Sequence, residues 1–278
     1  MATTVLPLGV ETSSKPSTDS WLKASAWAWC VTAVIGQMAF IYFIVAFYGP
    51  STASGNFADW NKKNLITGHV PGDTAGNLQF AVHVLMGAMI TASGALQLLP
   101  QIRRYVPALH RWNGRFYIMM ALLMSLGGMS LVWVRGTYLT LTGALGISLL
   151  GVLLMGAAIM AWRTAVARDF RNHPRWALRT FLLANGVWFQ RIGYMAWILV
   201  NRGPVGIGKR MDGPFDLFWG FGSFLLPLAV LELYFFVRDR GGARAKSAMA
   251  GGLVVLTLLT ALGIGGAYML MWRPVLLR

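Results

Sequence analysis

Charge is what this chain has least of. Only 12% of its 278 residues are Asp, Glu, Lys or Arg, against about a quarter in a soluble domain. Acids are the scarcest: nine Asp and Glu face 24 Lys and Arg, a formal net charge of +15. So few charges cannot clothe a water-exposed surface, which excludes an ordinary soluble fold. The single cysteine, Cys30, rules out an intrachain disulfide. It lies inside an apolar run, so packing is its expected role. There is no phosphate-binding glycine loop, nucleophile elbow, HExxH helix or cysteine metal site. The loops are too short to hold a catalytic domain in water. The positive charge gathers in loops between apolar runs, the signature of membrane topology rather than of a nucleic-acid surface.

Apolar residues are what the chain has in abundance. They make up 56% of it, with a mean hydropathy of +0.57. Several runs exceed the ~20 residues that cross a hydrocarbon core about 30 Å thick, and runs of that length fit only a helical bundle. The fold class is therefore all-α, an integral membrane bundle of about seven transmembrane helices. Seven spans are expected, at 24–48, 76–99, 112–134, 141–162, 174–200, 214–237 and 251–272. Gly49-Pro50 and Pro100 stop the first two, and Pro174 suits the first turn of the fifth. These spans form a single domain over residues 24–278, after a disordered cytoplasmic tail at 1–23 with no cleavable signal peptide.

The loops set an orientation. Arg103, Arg104 and Arg111, then Arg163, Arg168, Arg171 and Arg175, then Arg238, Arg240, Arg244 and Lys246 fall on one side. The other side receives Lys62, Lys63, Arg135, Arg202, Lys209 and Arg210. The positive-inside rule puts the first set, and with it the amino terminus, in the cytoplasm. A weak repeat relates spans 2–3 to spans 4–5. Trp112, Arg115 and Tyr117 match Trp176, Arg179 and Phe181, each block following a histidine, His110 or His173. Two parallel hairpins would produce this pattern; so would basic and Trp residues collecting at any membrane interface.

Polar residues inside the spans narrow the search for a site. His83, Gly87, Gly94 and Gln97 share a stripe of the second span, where small residues let a partner helix approach polar groups that need partners. Arg191 lies deep enough that its charge must face the bundle interior or a wet cavity. Glu232 is the one acid expected well inside a span, as a buried charge paired with Arg115 or Arg179.

Residues from about 80 to 200 resemble a bacterial family of multi-helix membrane proteins. The resemblance rests on His83, Gly87, Gly94, Gln97, His110, Arg111, Trp112, Gly114, Arg115 and Tyr117, then His173, Arg175, Trp176 and Arg179. That family is known only as a predicted membrane protein domain of unknown function. It implies a fold, and the bacterial cytoplasmic (inner) membrane as location, but no activity. A looser resemblance is to transmembrane b-type cytochromes that oxidise ascorbate or quinol. It implies a haem b between His110 and His173 as metal ligands, in electron transport, with Arg111, Arg115 or Arg179 holding propionates or a quinone carbonyl. His83 would then be an incomplete second site, since the fourth span offers only Met155 or Met160 opposite it, or part of a path with Gln97.

Readings without haem stay open beside this one. His110 and His173 cap helix starts and bind lipid phosphate with the arginines. Alternatively, the basic rim belongs to a transporter or to an anion- or lipid-binding protein. Expected partners are membrane lipids and a quinone or small-molecule substrate, with a second copy of the chain or a redox partner left open.

Overall fold

Ser17 caps the first helix, its hydroxyl accepting the amide of Ser20 at 3.3 Å. The computed structural model describes residues 17–62, 67–138 and 140–277, and among them the only regular structure is helix. α1 covers Thr18–Ala53, α2 Thr74–Leu98, α3 Pro100–Tyr105, α4 Pro107–Trp133 and α5 Leu141–Val166. α6 is His173–Ala184, α7 Gly186–Asn201, α8 Pro214–Arg240 and α9 Ala243–Gly266. α9 runs on through a π turn, Ala267–Trp272, into α10, Arg273–Leu276. A 3-10 turn, Phe57–Asn61, sits between α1 and α2.

Two expectations need correction at α1. The helix begins at Thr18, inside the stretch read as a tail, and it passes Gly49-Pro50 to end at Ala53. The hydroxyls of Ser51 and Thr52 donate to the carbonyls of Phe47 and Tyr48, tying down the last turn around the proline. Residues 1–16 lie outside the described ones, as do Lys63 and its neighbours 64–66.

Six helices are long and apolar enough to cross a membrane: α1, α2, α4, α5, α8, and α9 continued to Trp272. The stretch expected as an unbroken fifth span is two helices, α6 and α7, separated at Asn185. Asn185 leaves helical geometry (φ −93°, ψ 8°), and its amide is shared between Phe181 O at 3.3 Å and Leu182 O at 3.2 Å. Its side-chain Nδ2 also donates to Phe181 O, at 2.8 Å. An asparagine that competes for the helix's own carbonyl loosens the ladder, and Gly186 next to it adds freedom.

Neighbouring pairs α1–α2, α2–α4, α4–α5, α5–α8, α8–α9 and α9–α1 close a ring. The broken span fills its inside. α6 packs on α5, α8 and α2, while α7 packs on α8 and α9 and reaches α1, where Trp29 stacks on Phe189. The most buried stretch runs across the break: Thr180, Phe181, Leu182, Leu183, Asn185, Trp188 and Phe189.

Contacts with α8 order the pair from end to end. Arg175 meets Asp239, Arg179 meets Glu232, Trp219 Nε1 donates to Gln190 O (3.0 Å), and Tyr194 donates to Asp216 (2.8 Å). α6–α7 therefore runs antiparallel to α8 along its whole length. The starts of α1, α4, α6 and α9 and the finishes of α2, α5 and α8 share one end. Asp19–Lys246 (2.7 Å) and Gln97 Nε2–His110 O (2.9 Å) mark it. Most of the arginines gather there, so it is the basic end; the opposite one is the far end.

Glycines set the closest approaches. At Gly263 of α9 an added Cβ would run into the Ile192 carbonyl of α7, whereas at Gly265 it would meet nothing. Gly263→Val should therefore destabilise the bundle by about 1–3 kcal/mol through overpacking. Gly265→Val, with the same helix propensity, should leave the thermal unfolding midpoint in detergent near the parent's. Equal midpoints for the two variants would contradict this packing.

Candidate functional site

Polar residues at the basic end knit α2 to α4. Asn113 Nδ2 donates to Ser93 O at 2.9 Å, and the Asn113 and Ser93 side chains lie 2.9 Å apart. One turn along, Gln97 Nε2 donates to His110 O. Gly114 permits this, since the Gln97 amide lies 2.9 Å from where its Cβ would be. Gln97 thus binds the backbone of His110 and not its ring. Gln97 Oε1, His110 Nδ1 and Tyr117 OH are buried without a hydrogen-bond partner among the described residues.

His110 and His173 come to the same end, close enough for their charges to interact, with Arg103 and Arg111 also in electrostatic reach of His110. His173 Nδ1 lies 3.0 Å from Ala161 O of α5. A carbonyl only accepts, so that nitrogen carries the hydrogen. The histidines themselves suit a metal, but the space between their helices does not suit a haem. Tyr117 and Phe181, two turns further in on α4 and α6, are buried there against Gly94 of α2. A Cβ at Gly94 would already lie 3.0 Å from Tyr117 Cε2 and 3.2 Å from Phe181 Cδ2. A porphyrin edge reaching in from the two imidazoles would meet this packed core. No group of three His, Cys, Asp or Glu side chains converges among the described residues.

The two Trp–Arg blocks adopt the same local arrangement. Arg115 lies over the Trp112 ring at 4.7 Å and Arg179 over the Trp176 ring at 4.4 Å. They differ in partners. Arg179 makes a two-pronged pair with Glu232, at 2.6 and 2.8 Å. Arg115 has no ion pair among the described residues, and neither does Arg111. Glu232 thus makes the expected pair with Arg179, but its side chain is 47% exposed rather than buried. It lies two turns from the end of α8.

His83 lies nearer the far end, against Gly127 and Gly128 of α4; a Cβ at Gly127 would be 3.3 Å from Nδ1. Fourteen residues of helix, roughly 21 Å, separate it from Gln97, so the two do not form one site. Arg191 lies on α7, half-buried, with its guanidinium carbon 5.3 Å from the centre of the Phe40 ring of α1.

The far end holds a cluster that loop charge alone did not reveal. Arg135 donates to Asp73 (3.1 Å), Asn77 (2.6 Å) and the carbonyl of Gly68 (3.2 Å), clamping the start of α2 to the finish of α4. Asp73 and Asn77, one turn apart at a helix start, were the available signal.

Helix content, spans of membrane length and charge gathered at the helix ends define a multi-pass membrane protein. The family model described as Predicted membrane protein (DUF2306) matches residues 80–206. The match runs from α2 to the turn after α7, and so contains both Trp–Arg blocks and the broken span. No curated protein and no solved structure matches the chain.

The Arg135 cluster is testable by pH. The Gly76 amide, and then Arg135, hold the Asp73 carboxyl below its ordinary value. A carboxyl depressed in this way adds stability that is complete above the unfolded value, about 3.9, and is lost as pH falls through the folded one. Asp73→Asn should melt earlier than the parent at neutral pH. The gap between the two should narrow as pH drops below about 4; a gap independent of pH would remove the carboxylate from the account.

Proposed function

We propose that this protein is a seven-crossing membrane protein that seats an anionic phospholipid at its basic end. The seventh crossing is α6–α7. It follows α8 throughout, and its 12 and 16 residues together span roughly 40 Å at 1.5 Å per residue. The basic end faces the cytoplasm by its excess of arginine, which places the amino terminus there too, and a bacterial inner membrane is the setting this implies.

The observation that carries the lipid reading is Arg115. Its guanidinium rests on Trp112 without an acid partner, at the mouth of a groove of about 430 Å³ between α4 and α5. The groove is otherwise apolar, lined by Ile118, Met119, Leu122, Leu123, Ile159 and Trp162. An acyl chain fits such a lining. A phosphodiester beside Arg115 gains a charge-assisted bond, and the indoles of Trp112 and Trp162 suit headgroup depth.

Native mass spectrometry of the purified protein with phosphatidylglycerol and phosphatidylcholine tests this. The parent should retain phosphatidylglycerol preferentially. Arg115→Gln should lose that preference by roughly tenfold or more, the scale of one hydrogen bond to a charged group. Unchanged selectivity in Arg115→Gln would defeat the proposal. Orientation is tested separately in a Cys30→Ala background, where cysteines placed at Arg244 and at Lys62 should label from opposite sides.

A further inference from the structure

Between Asp73 and Asp169 the sequence holds no acid at all. That stretch builds α4 and α5, the two walls of the groove that Arg115 borders. Arg111, Arg115 and Arg163 are all exposed, and none makes an ion pair among the described residues. Elsewhere at the basic end the cations are answered. Asp239 takes Arg175 and Arg238, Glu232 takes Arg179, and Asp19 takes Lys246. Asp169, the acid nearest to Arg163 in the chain, binds the amide and the side chain of Asn172.

Helical spacing sets these three arginines around one opening. The α4 wall is Arg115, Ile118, Met119, Leu122 and Leu123, a stripe that recurs every three or four residues. Carried one turn toward the basic end, the stripe reaches Arg111 and Trp112, both exposed. The α5 wall is Ile159 and Trp162. α5 runs the opposite way, and one turn beyond Ile159 its stripe reaches Arg163, in the last turn of the helix. Each wall therefore ends in arginine, two on α4 and one on α5, beside indoles suited to headgroup depth.

The geometry points to a lipid whose headgroup joins two phosphates through one glycerol, a diphosphatidylglycerol, as the occupant of this groove. This rests on the lipid reading of the groove and names the class of lipid. A phosphodiester carries one negative charge, which Arg115 matches. Arg111 and Arg163 then remain, one on each wall, for a second phosphate. A headgroup that carries both phosphates delivers the second as an intramolecular contact, without the cost of capturing another molecule. Basic pockets between transmembrane helices on the cytoplasmic side hold headgroups of this kind. One acyl chain fills the apolar groove, and the others stay in the bilayer.

Native mass spectrometry of the purified full chain, offered equal amounts of diphosphatidylglycerol and phosphatidylglycerol, tests this. The parent should prefer diphosphatidylglycerol about fivefold or more, the scale of one added basic contact at an anionic headgroup. The double variant Arg111→Gln with Arg163→Gln should bring that ratio close to one, while still preferring phosphatidylglycerol to phosphatidylcholine. Arg244→Gln removes an exposed charge of the same end from α9, which packs on α1, α7 and α8, and should match the parent. An excess of inorganic pyrophosphate should not displace the lipid. An even ratio in the parent, a parent-like ratio in the double variant, an equal loss in Arg244→Gln, or displacement by pyrophosphate would overturn the two-phosphate headgroup. With any of these, loss of phosphatidylglycerol selectivity in Arg115→Gln would leave the lipid groove standing; selectivity unchanged there is the separate failure of the groove itself.

Discussion

A helix broken in an apolar interior has to be enclosed by protein. Unsatisfied backbone groups cost several kcal/mol in lipid, so irregular backbone persists there only against other helices or around a cavity. The Asn185 break meets this demand by lying inside the ring formed by α1, α2, α4, α5, α8 and α9. Much of the architecture follows from that placement. α8 supplies partners along the full length of the broken span, from Asp239 at one end to Asp216 at the other. Gly263 lets α9 approach the Ile192 carbonyl, and Gly193 gives the indole of Trp219 its place on α7.

Acids are few, and those on α8 are placed with effect. Glu232 and Asp239 hold the start of α6 to the finish of α8 at the basic end, while Asp216 does the same for α7 and the start of α8 at the far end. The α6–α7 pair is thus tied by carboxylates at the start of α6 and at Tyr194 of α7, and packed between them by aromatic residues. Arg175 and Arg179 are consumed by the fold, whereas Arg111 and Arg115 have no acid partner among the described residues. The same residue type in the same Trp–Arg block makes an ion pair in one copy and none in the other. What differs is a neighbour: α8 brings Glu232 to Arg179, and no acid stands opposite Arg115.

Long apolar runs made the helical class legible, along with the positions of six crossings, because hydropathy and length act locally. The basic end was legible for the same reason. The break at Asn185 was not. A single asparagine is tolerated in most apolar helices, and its effect here depends on Nδ2 capturing the Phe181 carbonyl in a buried setting. Glu232 looked enclosed because distance along a helix reports depth but not which face turns inward. His110 and His173 looked like a ligand pair because both start helices at one end. The rings of Tyr117 and Phe181 that fill the space beyond them are a tertiary fact, carried by residues that look like ordinary core.

The region around the break keeps more polar demand than packing alone would tolerate. Gln37 of α1 is fully buried, and neither its amide nitrogen nor its oxygen finds a partner among the described residues. Asn185 Oδ1 and Trp188 Nε1 are in the same condition. Gly36, next to Gln37, abuts the Trp188 ring, so these groups come from facing stretches of α1 and the broken span. Each would cost about 1–3 kcal/mol if left unmet. Replacement by Leu or Phe would remove that cost, and the surrounding core is rich in both. A dry interior optimised only for stability would therefore not look like this one. The unmet groups of Gln37, Asn185 and Trp188 thus gather on one seam, where α1 faces the interruption between α6 and α7.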